Sequence, residues 1–249
     1  MEKILVLFKE KGETPLATMD RWREGHPSYK EATMTYVGRL DPLATGALLV
    51  LVGEEVHAKD EYLGLSKEYE FEILFGFSTD THDVLGIVGG ESKNDTTISI
   101  EELKKVFDVY IGKHIMKYPV FSSRKVKGKP LFSWFRENRM DEIEVPEHEV
   151  EIMSLDVVGE RKIEKDILLE EIKRDIGLVK GDFRQNEIIK KWEEVLKDSN
   201  HNSFHIVACN ISCGSGTYVR SLVHKIGEEL GVPALAYRIH RTKIGKYTI

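Results

Sequence analysis

Hydrophobic and polar positions along the chain repeat with two periods and divide it into strands and helices. Residues 4–8 (ILVLF) are an apolar run of strand length. Residues 47–52 (ALLVLV), set between Gly46 and Gly53, predict a buried central strand, because apolar side chains occupy both of its faces. Residues 67–76 (KEYEFEILFG) alternate and predict a strand with one wet face. Further strands are expected over 150–158 and 203–211. Residues 15–24 suit a helix with Pro15 in its first turn. Residues 99–109 suit another, capped by Ser99 with Glu102 three residues on. After a glycine-rich turn at 213–216, Val219, Leu222, Val223, Ile226 and Leu230 fall on one helical stripe, which Gly231 and Pro233 end.

Residues 160–200 differ in character. Acids and bases are nearly balanced there, aromatics are few, and Ile188, Ile189, Trp192 and Leu196 keep helical spacing. This predicts an inserted, charged helical element and not a second catalytic domain. Repeats and low-complexity tails are absent. The strands are too irregularly spaced for a doubly wound parallel sheet, so an α+β fold is expected.

A length of 249 residues suits one large domain or two small ones, and 41% hydrophobic with 31% charged residues is ordinary globular composition. Apolar runs stay well below the roughly 18 residues of a membrane-spanning helix, and the N-terminus does not read as a signal peptide. A cytoplasmic location is the expectation. Cys209 and Cys213 are too few for a zinc site and read as buried, reduced thiols. A net charge of −6 argues at first against a nucleic-acid partner. The average hides basic segments without acids, at 117–130 and 231–249, and a phosphate contact needs only local positive charge.

Five segments carry candidate chemistry. In Gly38-Arg39-Leu40-Asp41-Pro42-Leu43-Ala44-Thr45-Gly46, the proline forces Asp41 out of helical geometry and holds its carboxylate on a short, stiff loop. That group can be a nucleophile, a base or a loop staple. In Gly214–Arg220, the arginine falls in the first turn of a helix, where the dipole opposes a cation and an anion is called for. A snorkelling surface arginine fits the spacing equally. Tyr69 shares a strand face with Lys67 and Phe71 and could stack on a base or simply pack in the core. The loop at 76–86, with Asp80 and Asp83, has too few carboxylates for a hard-metal site and reads as a hydrogen-bonded turn or a backbone phosphate contact, the turn being favoured. The stretch at 118–129 interleaves aromatics with cations, as an RNA-binding segment or a solvated loop would.

Taken together and in this order, GRLDPLATGALLVLVGE (38–54), KEYEFEILFGFSTDTHDVLG (67–86), YPVFSSRKVKGKPLF (118–132) and the closing CGSGTYVRSLVHKIGEELG…RIHRTKIGKY resemble the TruB-type pseudouridine synthases. The opening LVLFKEKGETP fits the same family. The resemblance implies the pseudouridine synthase fold, a mixed, mainly antiparallel sheet flanked by helices with a catalytic cleft across it. It implies a single catalytic domain over 1–249, with the helical insertion at about 160–200. It also implies a cofactor-free, metal-free isomerisation of a T-loop uridine (position 55) in tRNA, with Asp41 as nucleophile, Arg220 as its ion-pair partner, and Tyr69 stacked on the uracil and available as a base. Leu40 would pack behind the loop. Tyr36, Arg39, Lys125, Ile239 and Arg241 complete the expected substrate-binding set. The tRNA T-arm is the expected partner of a monomer that needs no second protein and no membrane.

Two departures accompany the resemblance. Bacterial members carry a histidine in Gly-His-Thr-Gly where this chain has Thr35-Tyr36-Val37-Gly38. The C-terminal PUA-type domain is not represented in the sequence, so weaker tRNA affinity is expected. The rival readings are a non-catalytic tRNA-folding chaperone and a glycoside hydrolase pairing Asp41 with Asp80 or Asp83 across a cleft.

Overall fold

The computed structural model describes residues 2–92 and 97–249. In chain order its elements are β1 (Ile4–Lys9), α1 (Pro15–Glu24), β2 (Met34–Val37), β3 (Thr45–Val52), α2 (Lys59–Leu63), β4 (Lys67–Phe75), β5 (Phe77–Thr79) and β6 (Val88–Glu91). There follow α3 (Ile100–Tyr110), β7 (Gly112–Lys117), β8 (Lys125–Val126), β9 (Lys129–Pro130), α4 (Leu131–Arg136), β10 (Glu147–Glu164), α5 (Lys165–Leu178) and α6 (Gln185–Asp198). The last are β11 (Ser203–Cys213), α7 (Val219–Leu230), β12 (Ala234–Ile244) and β13 (Tyr247–Thr248). No helix among the described residues is long and apolar enough to cross a membrane.

One large sheet runs in the order β1-β3-β12-β4-β11-β10-β7, with β2 on β3 and β13 on β12. Its pairings are antiparallel except for β3 with β12, which run parallel and place Thr45 beside His240 and Gly46 beside Arg241. The α+β reading therefore holds.

At β4 the sheet carries a hydrophobic core on each face. Phe71, Ile73 and Phe75 of β4 pack with Leu103 and Phe107 of α3 and Leu222, Val223 and Ile226 of α7. Leu74 points the other way, into a second core with Leu168, Ile172 and Ile176 of α5 and Ile188, Trp192 and Leu196 of α6. This corrects the expectation of a wet face along β4. That face is wet only as far as Glu72, because the inserted helices cover the rest.

The charged helical element expected over about 160–200 begins later than its charge pattern implied. β10 continues to Glu164 before α5 starts, and register shifts after Ile152 and Val157 break the alternation by which a strand is recognised. The capping box of Ser99 and Glu102 is present, and Gly231 ends α7 in a left-handed conformation.

Gly46 marks where the sheet and the candidate loop join. Its φ is +105°, and a Cβ there would lie 2.2 Å from the Arg241 carbonyl oxygen. Gly46→Ala therefore has to part β3 from β12, at a cost of at least about 2 kcal/mol. Urea melts should show a lowered midpoint; an unchanged midpoint would mean that this junction is not tight.

Candidate active site

The loop from Gly38 to Ala44 crosses from β2 to β3 with its carbonyls held from below. Lys9, at the end of β1, is fully buried and its Nζ donates to the carbonyls of Ala44 (2.6 Å), Pro42 (3.1 Å) and Glu10 (3.2 Å). Burial lowers its ammonium to about 8. The amide of Gly12 also donates to Pro42 (2.9 Å). On the other side Arg241, 1% exposed, donates from Nε to the carbonyl of Ala47 (2.8 Å) and from Nη2 to that of Gly38 (3.0 Å). Two buried cations thus fix the backbone around Asp41 and leave its carboxylate free to face elsewhere.

That carboxylate meets Arg220 in a two-point pair. Nε donates to Oδ2 at 2.7 Å and Nη2 to Oδ1 at 2.9 Å. The guanidinium is 2% exposed, and it also donates to the carbonyls of Thr81 (2.5 Å) and Phe121 (3.3 Å). The open choice between anion partner and snorkelling is settled in favour of the anion. Burial works against the arginine's charge, yet the Asp41 and Asp83 carboxylates outweigh it and hold it firmly protonated.

Asp83 is the second carboxylate on this cation, with Oδ2 at 3.5 Å from Nε. Its Oδ1 accepts from the Thr81 hydroxyl (2.6 Å) and the Leu85 amide (3.0 Å). The turn reading of the 76–86 loop was correct but incomplete, since the turn also aims Asp83 into the site. The hydrolase arrangement is not met. Asp41 and Asp83 share one arginine instead of opposing each other across a cleft, and Asp80 pairs with Arg184 (2.7 Å).

Burial raises the Asp83 carboxyl from 3.8 to about 6, with Arg220 opposing the shift and Asp41 adding to it. The folded chain therefore binds this proton more tightly than the unfolded chain does. The group's contribution to stability is full below its unfolded value and is lost as the pH rises through about 6. Urea melts across pH should show wild-type stability, relative to Asp83→Asn, falling between about pH 4 and 6. A pH-independent difference would contradict this.

Arg39, Leu40, Asp41, Tyr69, Arg220, Ile239 and Arg241 line one cavity of about 630 Å³. The sheet register sets Tyr69 between Ile211 of β11 and Arg241 of β12. Burial pushes its phenol above its ordinary value, so its ring is presented uncharged. Leu40 is buried beneath the loop.

Three expected contact residues are placed differently. Arg241 lines the cavity, but its guanidinium donates to the carbonyls of Ala47 and Gly38, bracing the Asp41 loop, and also interacts with the Tyr69 hydroxyl. Tyr36 lies outside the lining; its hydroxyl accepts from Arg39 (3.1 Å), holding that arginine at the rim. Lys125 is exposed on β8, also outside the lining. Sequence reasoning missed Lys9, Phe183 and Arg184, and took Asp83 for a turn residue without its tie to Arg220. Lys9 follows an apolar strand, and only its position one pleat beyond Leu7 hinted that it points inward. Cys209 and Cys213 are free and buried.

The backbone is similar to chains of two solved complexes. With "Crystal Structure of a Cbf5-Nop10-Gar1 Complex" the TM-score is 0.58 at 16% identity, over 99% of this chain and 50% of that one. With "Structure of H/ACA RNP bound to a substrate RNA containing 2'-deoxyuridine" it is 0.56 at 16%, over 99% and 48%. The chain thus spans about half the length of these structures, and at such identity the likeness concerns the fold, which is the pseudouridine synthase fold. The family follows from the sequence: the model described as "TruB family pseudouridylate synthase (N terminal domain)" matches residues 27–181, and the chain belongs to the TruB family. Among its relatives are proteins named tRNA pseudouridine synthase B. That of Ligilactobacillus salivarius is 28% identical over all of this chain and 69% of its own length. Those of Bacillus cereus and Aquifex aeolicus are 29% and 25% identical, again over all of this chain, and over 68% and 70% of their own lengths.

Proposed function

We propose that this chain isomerises one uridine in the T-loop of tRNA, at position 55, to pseudouridine, with Asp41 as nucleophile. The observation that carries the reading is the two-point Asp41–Arg220 pair in a cavity walled by Tyr69 and Ile239. The name shared by the tRNA pseudouridine synthase B relatives supports the substrate. Arg220 holds both carboxylate oxygens in one orientation, as an attacking group requires.

In this reading the uridine leaves its stack and enters the cavity, at a cost of a few kcal/mol that an RNA loop reduces relative to a duplex. Its uracil lies against the Tyr69 ring. Asp41 attacks C1′ and the C1′–N1 bond breaks, leaving uracil with the electron pair. The ring turns, C5 bonds to C1′ as the Asp41 ester bond breaks, and the C5 proton leaves while N1 gains one. Atoms and electrons balance with no cofactor. The protein acts as a monomer and as one catalytic domain, into which α5 and α6 are inserted.

The test is pseudouridine mapping on an unmodified tRNA transcript incubated with the protein. Product at a single T-loop position is expected. Binding without product would return the chain to the chaperone reading, and product elsewhere in the RNA would refute the site.

A further inference from the structure

One wall of the cavity comes from the turn between α5 and α6, to which no sequence motif gives a role. Phe183 and Arg184 of this turn line the same cavity as Asp41. The turn is built to hold its shape. Val179 and Phe183 pack into the core beneath α5 and α6. Gln185 Nε2 donates to the carbonyls of Val179 (2.9 Å) and Gly181 (2.7 Å), and Arg136 of α4 donates to that of Asp182 (2.6 Å). Arg184 itself sits at φ +65°, a left-handed conformation that a non-glycine side chain adopts only when its surroundings impose it.

The Arg184 side chain is correspondingly fixed. Its guanidinium lies 4.8 Å from the centroid of the Phe121 ring, and Nη1 donates to Asp80 Oδ2 at 2.7 Å. Among the described residues Nε and Nη2 have no hydrogen-bond partner, and the side chain is 24% exposed. The buried cations of the cavity are committed: Arg220 to Asp41, Arg241 to the carbonyls of Gly38 and Ala47, and Lys67 to those of Leu63 and Leu65. Cations with donors to spare are therefore Arg39 on the Asp41 loop, and Arg136 and Arg184 on the α4 and α5–α6 side.

We propose that Arg184, presented by the α5–α6 turn, binds a phosphodiester of the RNA strand beside the flipped-out uridine, which makes the inserted hairpin a substrate-binding element. The inference rests on the RNA-acting reading above. A planar guanidinium stacked on a ring, with one edge anchored and two donors left over, suits a phosphate better than a base edge, since both donors can reach its oxygens together.

The experiment measures binding of an unmodified tRNA transcript over a series of salt concentrations, for wild type, Arg184→Ala and Asp80→Asn. Asp80 does not line the cavity, and its substitution breaks the same ion pair while leaving the arginine in place. Arg184→Ala should weaken binding about tenfold and reduce the slope of log Kd against log salt by roughly 0.7 to 1. KM should rise with little change in kcat. Asp80→Asn loosens one edge but keeps the cation on the Phe121 ring, so it should lose less affinity than Arg184→Ala and keep the wild-type salt slope. Equal losses in both variants would show that Arg184 serves only as a tie to the 76–86 loop, and no loss in Arg184→Ala would show no contact at all; either result overturns the proposal. Because the readout is binding, it stands apart from turnover. An Arg184-dependent salt slope in a chain that makes no pseudouridine would uphold this inference while refuting the isomerase reading.

Discussion

Asp41→Asn is expected to lower the single-turnover rate of pseudouridine formation by at least about 10⁴-fold while leaving tRNA affinity within about threefold. Substitution by asparagine keeps the size of the side chain but removes both the charge that attacks and the charge that Arg220 neutralises. The carbonyls of the loop would still be held by Lys9 and Arg241, so the cavity should keep its shape. Binding should persist because the cations at the rim are untouched. A variant that retained measurable turnover would remove Asp41 from the chemistry. A variant that lost RNA binding together with activity would instead point to a collapsed loop, which a thermal melt would reveal.

Arg220 is expected to produce the largest combined effect on activity and stability. Arg220→Ala leaves the buried Asp83 carboxylate and Asp41 facing each other with no cation, and strips the carbonyls of Thr81 and Phe121 of a donor. Breaking a buried ion pair from one side costs about 3–5 kcal/mol. In a chain of this size that lowers the melting temperature by on the order of 10 °C. Arg220→Lys separates charge from geometry. An ammonium keeps the positive charge but cannot reach both Asp41 oxygens and two carbonyls at once. The lysine variant should fold, with a smaller loss of stability, and turn over at least about 10²-fold more slowly. Near-normal turnover would show that charge alone, without the fork, keeps Asp41 in position.

Much of this site was legible along the chain, because its signals are local. Pro42 and the flanking glycines announce a stiff turn before a buried strand, and they do so within nine residues. The call for an anion at Arg220 follows from its place in the first turn of a helix. What lay beyond reach was the use made of cations far apart in sequence. The resemblance offered Arg241 as a basic residue near the target base. It also braces the Asp41 loop, since the parallel contact of β3 with β12 carries it beneath that loop. Lys9 drew no reading from the sequence, yet it is buried under the loop that follows it by more than thirty residues.

The inserted helices show the same division. Their amphipathic spacing at Ile188, Trp192 and Leu196 was enough to predict helices, but the pattern could not say which face of the sheet they cover or that their turn would reach the cavity. By itself the sequence determined β1, β3, β4, α1, α3 and α7, the caps at Ser99 and Gly231 and the aspartate loop, because each is fixed by contacts within a few residues. The tertiary structure alone decided that Asp41 meets an arginine 179 positions away, that Asp83 shares it, and that Arg184 joins the wall. A charge finds its partner through the packing of distant strands, and local periodicity carries no record of that choice.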